Sequence, residues 1–404
     1  MLDRLTIERL TTLAHGGPIV VALSGGGDSS ALLHLLADRL GAPRLRAAIV
    51  DHALREGSAA DAKAAAQRAQ AAGVVTEIST LHWPAAANRS QRSARERRYT
   101  ALCAVARAHG ARVIALGHTA DDQAETVFMR AAAGSSWRGL SGMAALASAP
   151  LWPEGRGIAV ARPLLSARRE ELRAFLRDRR LDWIEDPANA NPGYERVRVR
   201  ERLRMLSDAG FDPMRLAHLA ARLRAIADAT DAAAGVLIAS AASFEADRIT
   251  VARDAWSAGR EIRRRALSAL IDAAAGAARE APAHAVARLD ARMHAADFRG
   301  ATLAGVRIAA SRQSFVFERD RGALEGRAGG AAPLAPLRLI AGIETVWDGR
   351  LALTPRDGDF VAHAAMPEPR LVAGAGERHG GGVAKRWLLA ERAAHALNQQ
   401  SKQD

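Results

Sequence analysis

The chain has 404 residues, 49% hydrophobic and 4% aromatic, with a formal net charge of +13. It is long enough for two or three domains and apolar enough to fill their cores. Its single cysteine, Cys103, excludes an internal disulfide framework, a cysteine zinc site and a Cys-x-x-Cys pair, and no apolar run reaches the ~18 residues a membrane span needs.

Only Lys63, Lys385 and Lys402 are lysines, so the positive excess is arginine. The guanidinium fork suits phosphates, and a basic excess of this size points to a polyanionic partner, nucleic acid first. Cysteine usage fits a reducing cytoplasm. The first residues, with Asp3 and Glu8, do not read as a signal peptide.

In chain order, residues 1–18 predict a short helix and a turn at Gly16-Gly17-Pro18. Ile19 to Leu23 is a buried strand, a glycine turn follows, and Ala31 to Leu36 has a helical apolar pattern. Further strands are expected at Leu45–Val50, Val74–Ile78 and Val113–Leu116, with helices at about Ser58–Ala72 and Ser90–His109. Alternating strands and helices argue for a parallel α/β sheet covered on both faces, with ligands at the carboxyl ends of its strands. Three strands end in polar clusters, Ser24–Ser29, Asp51-His52 and His118–Glu125, which should converge on one crevice. Residues 130–162 are glycine- and proline-rich and read as a mobile segment over the site.

Glu170–Arg180 is helical, and after a turn at Trp183–Pro187 comes another arginine-rich stretch, Arg196–Arg204. From Pro213 a long Ala/Arg helix runs to about Ala242, Arg248–Val251 is a short strand, 260–298 is helical, and Thr302–Glu318 suggests a strand pair. Gly322–Pro336 reads as a linker, and Thr345–Leu353 as a hairpin opening a small β-containing domain; the tail past Ala373 has no assignment. The division expected is therefore a catalytic domain over 1–212, a helical domain over 213–321 and a small domain over 337–404.

Two stretches carry chemistry. In Ser24-Gly25-Gly26-Gly27-Asp28-Ser29 the glycines permit close backbone approach to a ligand. The helix that follows offers unpaired N–H groups and a positive dipole end, so the loop can cradle phosphate without a lysine. It is neither a Walker A loop nor a dinucleotide fingerprint. Asp28 beside a polyphosphate needs a cation between them, which suggests Mg²⁺. In Gly117–Thr126, Asp122 and Glu125 lie three apart and share a helix face; two such carboxylates require a cation or an ammonium group.

The hexapeptide Ser24–Ser29 resembles the SGGxDS signature of the PP-loop ATP pyrophosphatases. Gly117–Thr126 resembles the GHTADDQAET motif of the tRNA(Ile)-lysidine synthases within that group. Further resemblances follow in order. Val50–Arg55 is similar to VDHGLR with Ala53 for glycine, and Ala94–Tyr99 to A-R-x-x-R-Y. Gly139–Met143 is similar to GLxGM, and Arg162–Leu165 to RPLL. Trp183–Asn189 is similar to WxEDPSN with Ala188 for serine, and Tyr194–Arg200 to YxRNRIR with Val197 for asparagine. The motifs cover about residues 19–204; later agreement is loose.

The resemblance implies a Rossmann-like PP-loop domain, a mainly helical domain and a small β-containing domain. It also implies a two-step reaction on tRNA(Ile) with a CAU anticodon, in which ATP adenylates O2 of the wobble cytidine and the amine of free lysine displaces AMP at C2. On this reading Ser24, Gly25, Gly26, Gly27, Asp28 and Ser29 hold ATP and its pyrophosphate, with Asp28 the Mg²⁺ ligand. His52 and His118 contact nucleotide or carry a proton, Asp122 and Glu125 bind the lysine ammonium, and Arg95 with Arg98 meets the activated base or its phosphates. Arg162–Arg180 and Arg196–Arg204 grip the tRNA backbone, while Tyr99, Trp137 and Trp183 are the stacking candidates. Two other classes compete. A PP-loop tRNA thiolase is disfavoured by the lone Cys103, and a non-catalytic nucleotide- and RNA-binding module by the acids at 28, 122 and 125. The oligomeric state stays open, with a homodimer among the alternatives.

Overall fold

The computed structural model describes residues 1–83, 90–185, 191–276, 281–295, 297–326, 332–373 and 382–398. They form two compact units, Met1–Ala227 and Asp228–Asn398.

The first unit runs α1 (Arg4–Ala14), β1 (Ile19–Ala22), α2 (Gly27–Leu40), β2 (Leu45–Asp51), α3 (Ser58–Ala71), β3 (Val75–Thr80), α4 (Gln91–Ala108), β4 (Val113–Ala115) and α5 (Ala120–Ala132). It continues with α6 (Trp137–Leu140), β5 (Leu146–Ser148), β6 (Ala159–Ala161), α7 (Arg169–Asp178) and α8 (Glu195–Asp208). The strands form one six-stranded sheet in the order β3-β2-β1-β4-β6-β5. All pairings are parallel except β5 with β6.

Strand β1 is central, pairing Ile19 with both Leu45 and Val113. Such a strand is covered on both faces, which is why it is an unbroken apolar run. The period of two divides its side chains: Ile19 and Val21 pack with Leu32, Leu36, Leu172 and Leu176, while Val20 packs with Tyr99, Leu102 and Ile114 on the opposite face. From β1 the chain builds outward through β2 and β3, then returns to lay β4 on the other side. The strand order thus reverses at β1/β4, and the crevice beyond their carboxyl ends is where an open α/β sheet binds ligands.

Residues 130–162 differ from expectation. They are built into the sheet edge as β5 and β6, and Met143, Ala147, Ala149 and Val160 are buried. The glycines there serve tight turns: Gly142 has φ +63° and Gly157 +72°.

Helix α9 (Met214–Ala241) runs through the boundary between the units. The second unit then contains β7 (Ala242–Glu245), β8 (Arg248–Ala252), α10 (Arg260–Ala275), α11 (Ala283–Met293), β9 (Gly300–Leu303), β10 (Val306–Ala310), β11 (Ser314–Arg319) and α12 (Arg321–Glu325). It closes with β12 (Leu337–Leu339), β13 (Thr345–Trp347), β14 (Leu351–Pro355), β15 (Phe360–His363), β16 (Arg370–Ala373), β17 (Val383–Trp387) and α13 (Leu389–Asn398). An antiparallel sheet β7-β8-β11-β10-β9 carries three strands where the sequence suggests a pair, and two three-stranded sheets follow, β12-β15-β16 and β13-β14-β17. Part of the unassigned tail proves to be structural. In α13, Leu389, Ala393 and Leu397 share one core with Leu267 and Leu270 of α10, and Arg265 donates to the Ala396 and Leu397 carbonyls (2.7 and 2.8 Å).

Candidate active site

Past β1 the chain must turn sharply to start α2, and Gly25 makes the turn with φ +82°. No side chain caps α2 at Gly26, so the first N–H groups of the helix remain available to an anion. Ser29 braces the loop. Its Oγ accepts from the Ser24 N–H (3.2 Å), lies 3.0 Å from Ser24 Oγ and donates to the Gly26 carbonyl (3.0 Å). The segment carrying Trp183 and Ile184 locks the loop from outside. The Ile184 N–H donates to the Gly25 carbonyl (2.9 Å), and a Cβ on Gly25 would lie 2.7 Å from Ile184 Cδ1. Asp28 sits in the first turn of α2 rather than in the loop proper.

Beyond β4, Gly117 lets the second stretch touch the first: a Cβ there would come within 3.1 Å of the Asp28 backbone and Ser29 Cα. Thr119 then caps α5 in a box with Asp122, whose Oδ2 accepts from the Thr119 N–H (2.9 Å) and Oγ1 (3.0 Å). This sets Asp122 and Glu125 on the face turned toward α2.

One guanidinium joins all three acids. Arg169, at the start of α7, donates Nε to Asp28 Oδ2 (3.0 Å) and Nη2 to Asp122 Oδ1 (2.9 Å), with Nη1 3.5 Å from Glu125 Oε1. Its own N–H is fixed by Asp121 Oδ2 (2.7 Å). Glu125 Oε1 also accepts from Arg200 Nε of α8 (2.7 Å), while Glu125 Oε2 is buried without a hydrogen-bond partner among the described residues. Three carboxylates thus share two guanidiniums, and Arg196 adds its positive field at Asp122.

The charges perturb one another. Burial pushes the Asp28 and Glu125 carboxyls above their ordinary values, against the pull of Arg169 on the first and Arg200 on the second. Burial acts the same way on Asp122 but is outweighed by Arg169, His118 and the Thr119 amide, so its carboxyl lies below the usual range. Burial would lower the Arg169 pKa, yet the three acids hold it well above normal. His118 is driven well below the ordinary histidine value by burial and then by Arg162, and His52 is lowered by burial and Arg98. Both imidazoles are therefore neutral at neutral pH, and the Nδ1 of each is buried without a hydrogen-bond partner among the described residues.

The profile of the PP-loop domain family matches residues 4–206. A tRNA(Ile)-lysidine synthase from Hyphomonas neptunium is 40% identical over 337 residues, covering 80% of this chain and 86% of that protein. The chain belongs to the tRNA(Ile)-lysidine synthase family. The Caulobacter vibrioides synthase is 37% identical over 355 residues, covering 86% and 76%. A U34-tRNA thiolase from Methanococcus maripaludis gives a TM-score of 0.43 at 17% identity, covering 54% of this chain and 78% of that one; so slight a likeness carries no argument.

In this synthase Ser24–Ser29, Asp28, Asp122 and Glu125 come together at the β1/β4 crevice. His52 follows the end of β2 and His118 the end of β4, both within the charge field of Arg98. Arg95 lies with Arg98 over the ring of Tyr99, each 5.5 Å from its centroid. Tyr99 itself is 1% exposed, which removes it as a stacking platform for a base. Trp183 lies over Gly27 and donates to Glu185 Oε1 (2.7 Å). Asp186, Pro187, Ala188 and Asn189 of the same motif lie outside the described residues.

The arginine runs are not uniformly turned to solvent. Arg162 is 3% exposed and donates to the Ala144 carbonyl (2.7 Å), Arg169 and Arg200 are drawn into the acid cluster, and Arg179 pairs with Asp38 (2.6 Å). Arg169 and Arg200 are the residues that sequence reasoning missed as site members. Their signal was the acids themselves: three carboxylates in one crevice, with no lysine nearby, need guanidiniums.

Gln123 was missed as well. Its amide donates to the Met143 carbonyl (2.9 Å) and accepts from the Met143 N–H (2.7 Å), so α5 is tied to the Gly139–Met143 loop. Gly142 is required there, because a Cβ would meet Gln123 Oε1 at 2.5 Å.

Proposed function

We propose that this synthase holds the polyphosphate of ATP on the Ser24–Ser29 loop and gathers lysine and the wobble cytidine of tRNA(Ile) at the adjoining acid cluster. The overall reaction is ATP-dependent ligation that forms lysidine on tRNA(Ile). In the first step O2 of cytidine 34, in a CAU anticodon, attacks the α-phosphorus, and the bond to pyrophosphate breaks. In the second the lysine amine attacks C2, the C2–O2 bond breaks and AMP departs with that oxygen, while the amine loses a proton.

The observation that carries this reading is that a phosphate-binding helix start and three carboxylates lie within the span of one guanidinium. Pyrophosphate departing from the loop is met by the N–H groups at the start of α2. Lysine's ammonium fits Asp122 and Glu125, the two acids that the Arg169 guanidinium now spans. Both oxygens of Asp122 are engaged, so Glu125, whose buried Oε2 has no hydrogen-bond partner among the described residues, is the better seat. Neutral His118 and His52 suit proton acceptance near the reacting groups, with Arg95 toward the activated base.

Asp28 fits a divalent cation. Its Oδ2 is on Arg169, and its Oδ1 makes no hydrogen bond among the described residues. No group of three or more His, Cys, Asp or Glu among those residues could hold a metal alone, which accords with Mg²⁺ taking one carboxylate plus substrate phosphates. Bound there, the ion supplies neutralisation of charge on the leaving pyrophosphate.

Residues 213–321 contribute to tRNA binding, aided by the net charge of +13. No described helix is long and apolar enough to cross a membrane, and we place the enzyme in the cytoplasm with its tRNA. A sulfur-transferring reading is disfavoured, since burial pushes the lone Cys103 thiol up to about 12.

The test is incubation of the chain with ATP, labelled lysine and unmodified tRNA(Ile), followed by nucleoside analysis. Labelled lysidine at position 34 is expected; unmodified cytidine there overturns the reading.

A further inference from the structure

The glycine loop lacks the lysine that many phosphate loops use, while an arginine close by is spent on carboxylates. Arg169 touches Asp28 of the phosphate-binding turn and, with its other nitrogens, the two acids that would seat lysine. Its side chain keeps 20% of its exposure and its partner Asp28 keeps 24%, so the guanidinium is reachable from the crevice rather than sealed beneath it. The Arg169 backbone is pinned through Asp121, so the side chain can turn while α7 stays in place. A polyphosphate on the α2 N-terminus brings several negative charges to within a side chain's reach, and the guanidinium fork matches phosphate geometry as well as it matches carboxylate.

We propose that Arg169 is a phosphate ligand in the working complex, and that its transfer from Asp122 and Glu125 to the bound nucleotide opens the lysine seat only after ATP has arrived. With the nucleotide absent the guanidinium stands in for the lysine ammonium. With the nucleotide present Arg169 steadies the pyrophosphate leaving group, and the acids it vacates draw in the amine. Lysine binding is thereby coupled to ATP binding, and the coupling is reciprocal by thermodynamic linkage. This inference rests on the reading of Asp122 and Glu125 as the lysine seat.

The experiment is calorimetric titration of L-lysine into the full chain, with and without saturating α,β-methylene-ATP. Wild type is expected to bind lysine about 10- to 100-fold more tightly with the analogue, the scale of a site-to-site coupling. In Arg169→Met the two lysine affinities become equal and the analogue binds more weakly; Arg169→Lys restores part of the coupling. Equal lysine affinities in wild type, or full coupling retained in Arg169→Met, overturn the proposal. Should Arg169→Met fail to fold, a crystal structure of wild type with the analogue decides. Arg169 within 3.5 Å of a phosphate oxygen supports the transfer, and Arg169 still on both Asp28 and Asp122 refutes it. Lysidine formation without coupling sinks only this inference, whereas absence of lysidine sinks the functional reading beneath it.

Discussion

Replacing Gly25 with alanine isolates what the glycine loop costs to build. At φ +82° an L-residue is disfavoured by about 1–2 kcal/mol. The added Cβ would also lie 2.7 Å from Ile184 Cδ1 and 3.1 Å from Ala65 Cβ. The isoleucine methyl can swing, but Ile184 is tied to Gly25 by its own N–H (2.9 Å) and Ala65 is fixed in the core. Overpacking of this kind adds about 1–3 kcal/mol, so Gly25→Ala should destabilise by roughly 2–5 kcal/mol in all. Gly26→Ala and Gly27→Ala are the controls. Neither glycine has a positive φ, and their nearest contacts would be 3.6 and 3.5 Å, so each should stay within about 0.5 kcal/mol of wild type. Urea unfolding of the three variants, compared at equal m-values, makes the measurement. A loss below about 1 kcal/mol in Gly25→Ala, or equal losses in all three, would refute the account of the loop as a strained turn locked by Ile184.

Other perturbations separate the site's parts. Asp28→Asn keeps shape but removes the charge, and should abolish ATP–pyrophosphate turnover while the circular dichroism spectrum is unchanged; an active variant would discard the metal-ligand role. Ala53, at φ +49°, occupies the position where the family motif has glycine, so Ala53→Gly should be neutral or stabilising by up to about 1 kcal/mol in the same unfolding assay. His118 has its pKa depressed in the fold, so the unfolded chain binds a proton that the native state refuses. The stability this contributes is present above pH ~6.5 and is lost as pH falls toward the depressed value. His118→Asn should flatten that slope between pH 7 and 5; an unchanged slope would show that the imidazole binds its proton equally in the folded and unfolded states. Binding of tRNA(Ile) should weaken steeply with salt, and a filter-binding series from 50 to 200 mM that stayed flat would remove backbone contacts from the mechanism.

The sheet was legible because its strands are short apolar runs bounded by glycines and polar clusters, and the convergence at β1/β4 followed from ordinary α/β topology. The edge was not legible. Residues 130–162 are rich in turn formers, and it takes Gln123 clasping the Met143 backbone, with Arg130 and Arg162 on carbonyls of the same segment, to show why they pack instead of moving. Among the acids, Asp28, Asp122 and Glu125 could be picked out from local spacing. Arg169 lies 141 positions from Asp28 along the chain, and nothing local distinguishes it from Arg168 or Arg173. A charge run reads as a solvated or nucleic-acid-facing surface until the fold shows which members point inward. The three-stranded part of the second unit's sheet was hidden for a simpler reason: Gly300–Leu303 is a short strand led by a glycine at φ +154°, which no alternating pattern announces.

The joining of α13 to α10 has a bearing on how the protein is made. Leu267 and Leu270 leave the ribosome long before Leu389, Ala393 and Leu397, which complete the core around them. The PP-loop unit can close as soon as its own residues emerge, whereas the other must wait until Leu397 has been translated. Synthesis that stalled before Leu389 would therefore release a chain with a finished nucleotide-binding half and an open apolar face on the other, the kind of surface that chaperones and proteases recognise.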